Sequence, residues 1–427
     1  MKPMSKLVEA AREIPIQDNY DVVVCGGGPA GIAAAIAAGR TGARTCLIEL
    51  QGCLGGIWTA GVLCYILDSQ NKDGLLVEIR ERLRARGAIG EKLDLYDAEA
   101  MKLLLEELCA EAGVHIRLYT RVVSADVVDG RIDHVILEAK EGRFAIAGKT
   151  FVDTTGDGDL AALAGCGFDV GRETDGLVQP MTLMALVANV PPGVRSATDP
   201  RWFSATCIRK EEFLERLTAA GHTCSYTKPS LFALPNGLCA MMVNHEYERS
   251  GLSSRDLTAA TISARRDVNS AIIAMRKFGP EWADVQLVAT AQAIGVREGR
   301  RIHGLYTVNV HDIIAGVRHP DGITRVTFPI DVHSVRKSEG GGYSSGNVAK
   351  QEPYDIPLRA LIAKNVTNLF MAGRCISGDF LSHASYRVTG NSVTTGEAAG
   401  RSAAEVAAAG GTAHDLAAVR AEVLTTR

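Results

Sequence analysis

Three glycines, Gly26, Gly28 and Gly31, form G-x-G-x-x-G between the apolar run Val22–Cys25 and an alanine-rich stretch opened by Pro29 and Ala30. At that spacing the first glycine permits a tight turn. The second lets a pyrophosphate approach the backbone, and the third lets a helix pack on a strand. The N–H groups opening such a helix have no partners inside it, so an anion can take them, aided by the helix dipole. Glu49 closes the next apolar run, where an acid can bond the ribose hydroxyls of an adenosine. The alternative, a glycine-rich structural turn, leaves that acid unexplained. The combination points to a bound dinucleotide.

Positioning these residues requires a strand, a helix over Pro29–Arg40 and a second strand over Ala43–Leu50, a βαβ unit. Helical spacing recurs over 75–86 and 97–112, where Met101, Leu104, Leu105 and Leu108 make one apolar stripe. Two apolar runs around Asp129-Gly130 predict a β-hairpin. A fresh strand is expected over 149–159. From about 170 to 345 the pattern loses its regularity, apart from a helix over 255–278, and suggests an inserted second domain. Nucleotide-domain character returns at 365–377, with a small-residue helix from about Ser392 to Ala409 closed by Gly410-Gly411. The segment 338–346, SEGGGYSSG, predicts a mobile loop. The expected fold is α/β: a Rossmann-type domain built from both chain ends with an inserted α+β substrate or cap domain. Its boundaries are an N-terminal extension at 1–18, the dinucleotide domain at 19–170 and 346–411, the cap at 171–345 and a C-terminal tail at 412–427.

The 427 residues carry a net charge of −3, with 46% hydrophobic and 22% charged residues. That balance gives no reason to expect nucleic acid or an anionic membrane as partner. No apolar run is long enough to span a bilayer, and the charged N-terminus lacks a signal-peptide core, so a cytoplasmic protein is expected. The ten cysteines include no C-x-x-C pair, which argues against a zinc site, an iron–sulfur cluster or a disulfide framework. No metal is expected.

Several separated motifs resemble FAD-dependent oxidoreductases of the two-dinucleotide-fold superfamily, and in particular the bacterial family known simply as FAD-dependent oxidoreductase. They are the N-terminal YDVVVCGGGPAGIAAAIAAGRTGARTCLIE, GCLGGIWTAG, FVDTTGDGDLAALAG, GVREGRRIHGLYTV, FPIDVH and NLFMAGRCIS…YRV. The resemblance implies FAD as cofactor and a C-terminal segment that folds back over the flavin. It implies cofactor contacts from Gly55, Gly56, Trp58, Thr59, Val122, Gly156, Asp157, Gly373, Arg374, Asn391 and Ser392, besides the glycine loop and Glu49. It also implies that GVREGRRIHGLYTV is an arginine-rich helix. Arg374 stands where some superfamily members carry an acid for the ribityl chain.

The chemistry so implied is hydride exchange between flavin N5 and a small organic substrate. Arg297, Arg300, Arg301, His333, His383 and Arg387 are the candidates for substrate binding and proton transfer, Tyr343 and Tyr386 are possible donors, and His303 reads as packing or surface. Cys53 and Cys64 flank the Gly-Gly loop, but Trp58 and Thr59 occupy the places of a flavin disulfide reductase's cysteine pair. The segment GDGDLAALAG lacks the serine and arginine of flavin hydroxylases, and no second Rossmann turn announces an NAD(P)H site. Two other functions stay open: an electron-transfer subunit serving a partner protein, and a non-redox role such as RNA modification. A homo-oligomer or an electron-accepting partner is compatible with the sequence.

Overall fold

The computed structural model describes residues 7–91, 93–191 and 207–425. Its main sheet contains β1 (Ile16–Cys25), β2 (Thr45–Ile48), β3 (His115–Arg117), β4 (Arg121–Val128), β5 (Arg131–Ala139) and β6 (Gly142–Asp153), in the order β3-β2-β1-β6-β5-β4. β3, β2, β1 and β6 run parallel, while β5 and β4 form an antiparallel edge. Val22, Val23, Val24 and Cys25 are completely buried, as a central strand covered on both faces requires. Asp129 and Gly130 join β4 to β5 with φ of 50° and 74°, the double left-handed turn that matches hairpin twist.

β6 begins seven residues before the strand read from sequence. Gly148 looks like a break, but it is a packing requirement. A Cβ there would lie 2.8 Å from the tip of the Phe151 ring and 2.9 Å from Val23 Cγ2. The first half of β6 pairs with β5. Its second half pairs in parallel with Leu369–Met371, so a strand from the C-terminal part of the chain completes the N-terminal sheet.

Helix α1 (Pro29–Gly39) is buried all round from Ala30 to Ala38. The sheet covers one side of it, and a long helix, Thr389–Ala409, lies along another. A Cβ on Gly396 would run into the carbonyl oxygen of Ala30, and one on Gly400 into that of Ala34. Small residues therefore let the two backbones touch. This closing helix starts three residues earlier than its sequence pattern suggests. Helices α2 (Leu75–Ala85) and α3 (Ala98–Glu111) fall where their spacing predicts, with Met101, Leu104, Leu105 and Leu108 fully buried. A last helix, Ala413–Thr425, docks through Ala413, Leu416 and Ala417.

A second, antiparallel sheet takes the order Gln286–Thr290, Ala185–Ala188, Cys239–Met242, Ser230–Ala233. It has its own apolar cluster with Phe213 and Leu217 from one helix and Val268, Ile272 and Met275 from the helix Ser254–Met275. One expectation is corrected in this region. The arginine-rich stretch is extended rather than helical: Gly295 exchanges backbone hydrogen bonds of 3.0 and 2.8 Å with Thr182, and a Cβ on Gly299 would overlap the Asp157 carboxylate. The glycine-rich segment at 338–346 is a folded return, in which Tyr343–Ser344 pairs with Val332–His333 and Ser334 donates to the Gly342 carbonyl at 3.0 Å. Among the described residues, no helix is long and apolar enough to cross a membrane.

Candidate functional site

A cavity of about 360 Å3 lies where the two glycine loops, the second sheet and the start of the closing helix meet. Gly26, Gly28, Pro29, Ala30 and Glu49 line part of it. Gly26 has φ of 104°, and a Cβ on it would strike the Thr154 carbonyl. A Cβ on Gly31 would strike the carbonyl of Gly26, so Gly31 lies inside the turn and off the wall. Beside Gly28, by contrast, the space is open to 4 Å. The helix that starts at Pro29 has no side-chain cap. Glu49 accepts the N–H groups of Gly27 at 2.6 Å and Gln51 at 2.7 Å, which fixes its carboxylate beside the loop.

The second loop is tied to the first by the Gly55 N–H, which donates to the Gly27 carbonyl at 2.8 Å. Gly55 and Gly56 are left-handed, and Gly56 faces the cavity. Trp58 is fully buried with its indole N–H unpartnered, and the Thr59 hydroxyl donates to the Leu54 carbonyl. These two lie behind the wall. Val122, near the start of β4, is also off it; its neighbour Thr120 donates to the Glu49 carbonyl at 3.0 Å. Gly156, Asp157, Gly373, Arg374 and Ser392 are on the wall. Arg374 pairs with Asp157 at 3.0 Å, and burial raises the Asp157 carboxyl against that pull. At the start of the closing helix, the side-chain amide of Asn391 and the Thr389 hydroxyl are buried and have no partner.

These features fit a dinucleotide. Open space beside Gly28 and an uncapped helix start suit a diphosphate, and the orphaned hydroxyl of Thr389, which lines the cavity, suits the polar edge of a ring system; Asn391 lies just off the wall beside it.

The candidate reactive residues separate into two groups. Arg297 and Arg387 both line the cavity. Arg297 donates to Pro180 O and Thr182 Oγ1, each at 2.7 Å. Its pKa is pulled down to about 10, first by burial and then by the like charge of Arg387. Arg387 donates to the Asp331 carbonyl at 2.8 Å and Gln179 Oε1 at 3.3 Å, with the Asp331 carboxylate at 3.5 Å. His333 stands behind them, its Nε2 3.2 Å from Asp331. Burial brings its pKa down to about 4, with Arg297 adding to the shift and Asp331 opposing it.

Arg301, His383 and both tyrosines sit elsewhere. The Arg301 guanidinium is tied to Glu298 at 2.6 Å and to the carbonyls of Gly378 and Gly171, buried and off the cavity wall. Arg300 is similarly held by the Asp157 carbonyl and Asp159. His383 is fully buried on the short helix Phe380–Tyr386, away from the wall, and burial holds it neutral. Tyr386 gives its hydroxyl to the Ile376 carbonyl, Tyr343 lies at the surface, and exposed His303 meets Asp169 at 3.1 Å. Cys53 and Cys64 are buried, Cys53 beside the Thr59 hydroxyl. Among the described residues, no group of three or more His, Cys, Asp or Glu is placed to hold a metal ion.

The sequence reading missed His245, Tyr226, Gln179 and Asp331. The His245 ring stacks 4.0 Å from Tyr226 and lies 4.9 Å from His333, and Gln179 receives the His333 N–H at 3.0 Å. Asp331, inside FPIDVH, carried the one local signal, an acid two residues before a histidine.

The parallel sheet, the glycine loops and the closing helix define a FAD-binding flavoprotein fold. The model of the FAD dependent oxidoreductase family matches residues 21–425, so the chain belongs to that family, and FAD is its cofactor. A 45-residue stretch is 53% identical to dihydrolipoyl dehydrogenase of Trypanosoma brucei brucei, covering 10% of this chain and 9% of that protein. The flavin-dependent brominase Bmp2 superposes with a TM-score of 0.50 at 12% identity, over 92% of this chain and 79% of that one. A geranylgeranyl bacteriochlorophyll reductase-like protein of Thermoplasma acidophilum gives 0.47 at 12% identity, over 91% and 78%. At such identity the likeness concerns fold alone.

Proposed function

We propose that this FAD-dependent oxidoreductase moves hydride between its flavin and a small organic molecule held in the cavity. FAD, when bound, supplies the hydride acceptor or donor. The carrying observation is that one cavity has two kinds of lining. One is the glycine loops, the other the apolar side chains of Met184 and Met242 with Arg297 and Arg387.

In this reading Gly26, Gly28 and the start of α1 hold the diphosphate, and Glu49 holds the adenosine ribose. Asp157 and Arg374 stand at the ribityl chain. Asn391, Ser392 and the uncapped start of the closing helix meet the pyrimidine edge, where a positive helix end favours negative charge. Residues 19–170 and 346–411 form the cofactor-binding part, and 171–345 covers it and keeps water from the reacting atoms. Asp331 orients His333 through Nε2 and keeps a neutral imidazole just behind the two guanidiniums, where proton transfer with a substrate needs a relay through the wall.

The test is anaerobic titration of the FAD-loaded protein with alcohols, amines, enoates and NADH, followed at the flavin's visible absorption. Bleaching by one class of small molecule is expected. Bleaching only by a partner protein would replace this reading with electron transfer.

A further inference from the structure

Arg297 is a buried cation without an acid. Its hydrogen bonds go to neutral oxygens, its second amino group faces Met242 Sδ at 3.8 Å, and no carboxylate stands within ion-pair distance among the described residues. Its cationic neighbour Arg387 lies 3.5 Å from the Asp331 carboxylate, which also meets His333 and attracts Arg297 from beyond ion-pair distance; Glu298 attracts Arg387 too, but it is paired with Arg301 at 2.6 Å. The other charged groups on the wall are committed: Asp157 to Arg374, and Glu49 to two backbone N–H groups. One positive charge is therefore left over beside Met242. An uncompensated buried charge is costly, and such a site is completed by an anion.

Other polar atoms here are also incomplete. Arg387 Nε has no partner, and just behind the wall Gln179 Nε2 and His333 Nδ1 have none. Gln179 and His333 are each more than nine-tenths buried. Met184, Met242, Ile57 and Leu63 supply apolar surface around the two guanidiniums. Planar N–H forks suit a carboxylate, and sulfur and aliphatic walls suit a hydrocarbon body.

We propose that the substrate is a small organic carboxylate, its carboxyl received by Arg297 and Arg387 and its apolar body lying against Met184 and Met242. This rests on the hydride-transfer reading for its claim that the occupant is the substrate. The binding claim stands on the charge balance alone.

The FAD-loaded protein is titrated at constant ionic strength with butanoate and benzoate, and with butanamide and benzamide as neutral matches of the same shape. Binding is read by calorimetry and by the flavin difference spectrum. The acids are expected to bind at least about tenfold more tightly than the amides. Arg297→Gln is expected to weaken acid binding by about tenfold or more while FAD content holds, with Arg297→Lys in between. Equal binding of acids and amides, no binding of either, or loss of FAD in Arg297→Gln with acid binding intact would each overturn the assignment. If Arg297→Gln does not fold, the comparison in the unaltered protein decides alone. Acid-selective binding without bleaching by any small molecule would refute hydride transfer and leave the anion site standing. Bleaching by a neutral alcohol with no preference for acids would do the reverse.

Discussion

Gly28 and Gly31 sit three residues apart in one motif, yet different things forbid a side chain at each. At Gly31 the obstacle is the protein, because a methyl group would strike the Gly26 carbonyl. At Gly28 the protein leaves room, and its φ of −73° suits any residue. Only a ligand would object there. Gly31→Ala is expected to destabilise the apoprotein by about 2–3 kcal/mol, the cost of forcing the turn apart. Gly28→Ala is expected to leave the apoprotein as stable or slightly more so, since alanine narrows the unfolded ensemble, while weakening FAD binding at least about tenfold. Denaturation midpoints and FAD titration of both variants check this. A Gly28→Ala protein that binds FAD normally would remove the diphosphate from the loop. Residue types also misled. Arg297 and Arg301 lie in one arginine-rich stretch, and their identities do not reveal that Arg301 is paired with Glu298 and Arg297 has no acid. That difference is set by which segments fold against each, information the local sequence does not hold.

Elements were legible where their cause is local. The helices α1, α2 and α3 follow from apolar spacing, and the β4–β5 hairpin follows from Asp129-Gly130. Elements whose cause is a distant partner were not. β6 runs through Gly148 because β1 and β5 pair with it, and the arginine-rich stretch stays extended because Thr182 pairs with Gly295. The closing helix shows the same dependence. Glycine disfavours a helix interior by about 1 kcal/mol relative to alanine, so propensity alone says that Gly400→Ala should stabilise. Contact with the Ala34 carbonyl reverses the sign. Gly400→Ala is expected to cost a net 1–2 kcal/mol or about that much, because the added methyl pushes the closing helix off α1. Thermal denaturation reads it directly, and a raised midpoint would show that the two helices do not touch as described.

At the scale of the whole molecule, distant segments meet around His333. Tyr226 and His245 come from the second sheet's region, Asp331 and His333 from the following return, and Arg387 from the approach to the closing helix. No sequence window contains this cluster, which is why only its edges were read beforehand. Its assembly makes a pH dependence. His333 has a pKa of about 4 in the folded protein against 6.5 for an ordinary histidine. The unfolded chain therefore takes up the proton first, and stability is lost as pH falls from about 6.5 toward 4. The Asp331 carboxyl, held low by His333, Arg387 and Arg297 against its burial, titrates below that window and does not intrude. Other groups pull the opposite way. Buried Asp153, raised to about 6, and Glu246, raised to about 7, favour the folded state as they gain protons. The net slope of the wild type is thus a sum of opposing parts, and a comparison isolates one of them. His333→Gln is expected to gain about 2 kcal/mol relative to wild type on going from pH 7 to pH 5. Urea denaturation of both proteins at the two pH values measures that change, and a difference independent of pH would mean that His333 takes up its proton as readily in the folded chain as in the unfolded one.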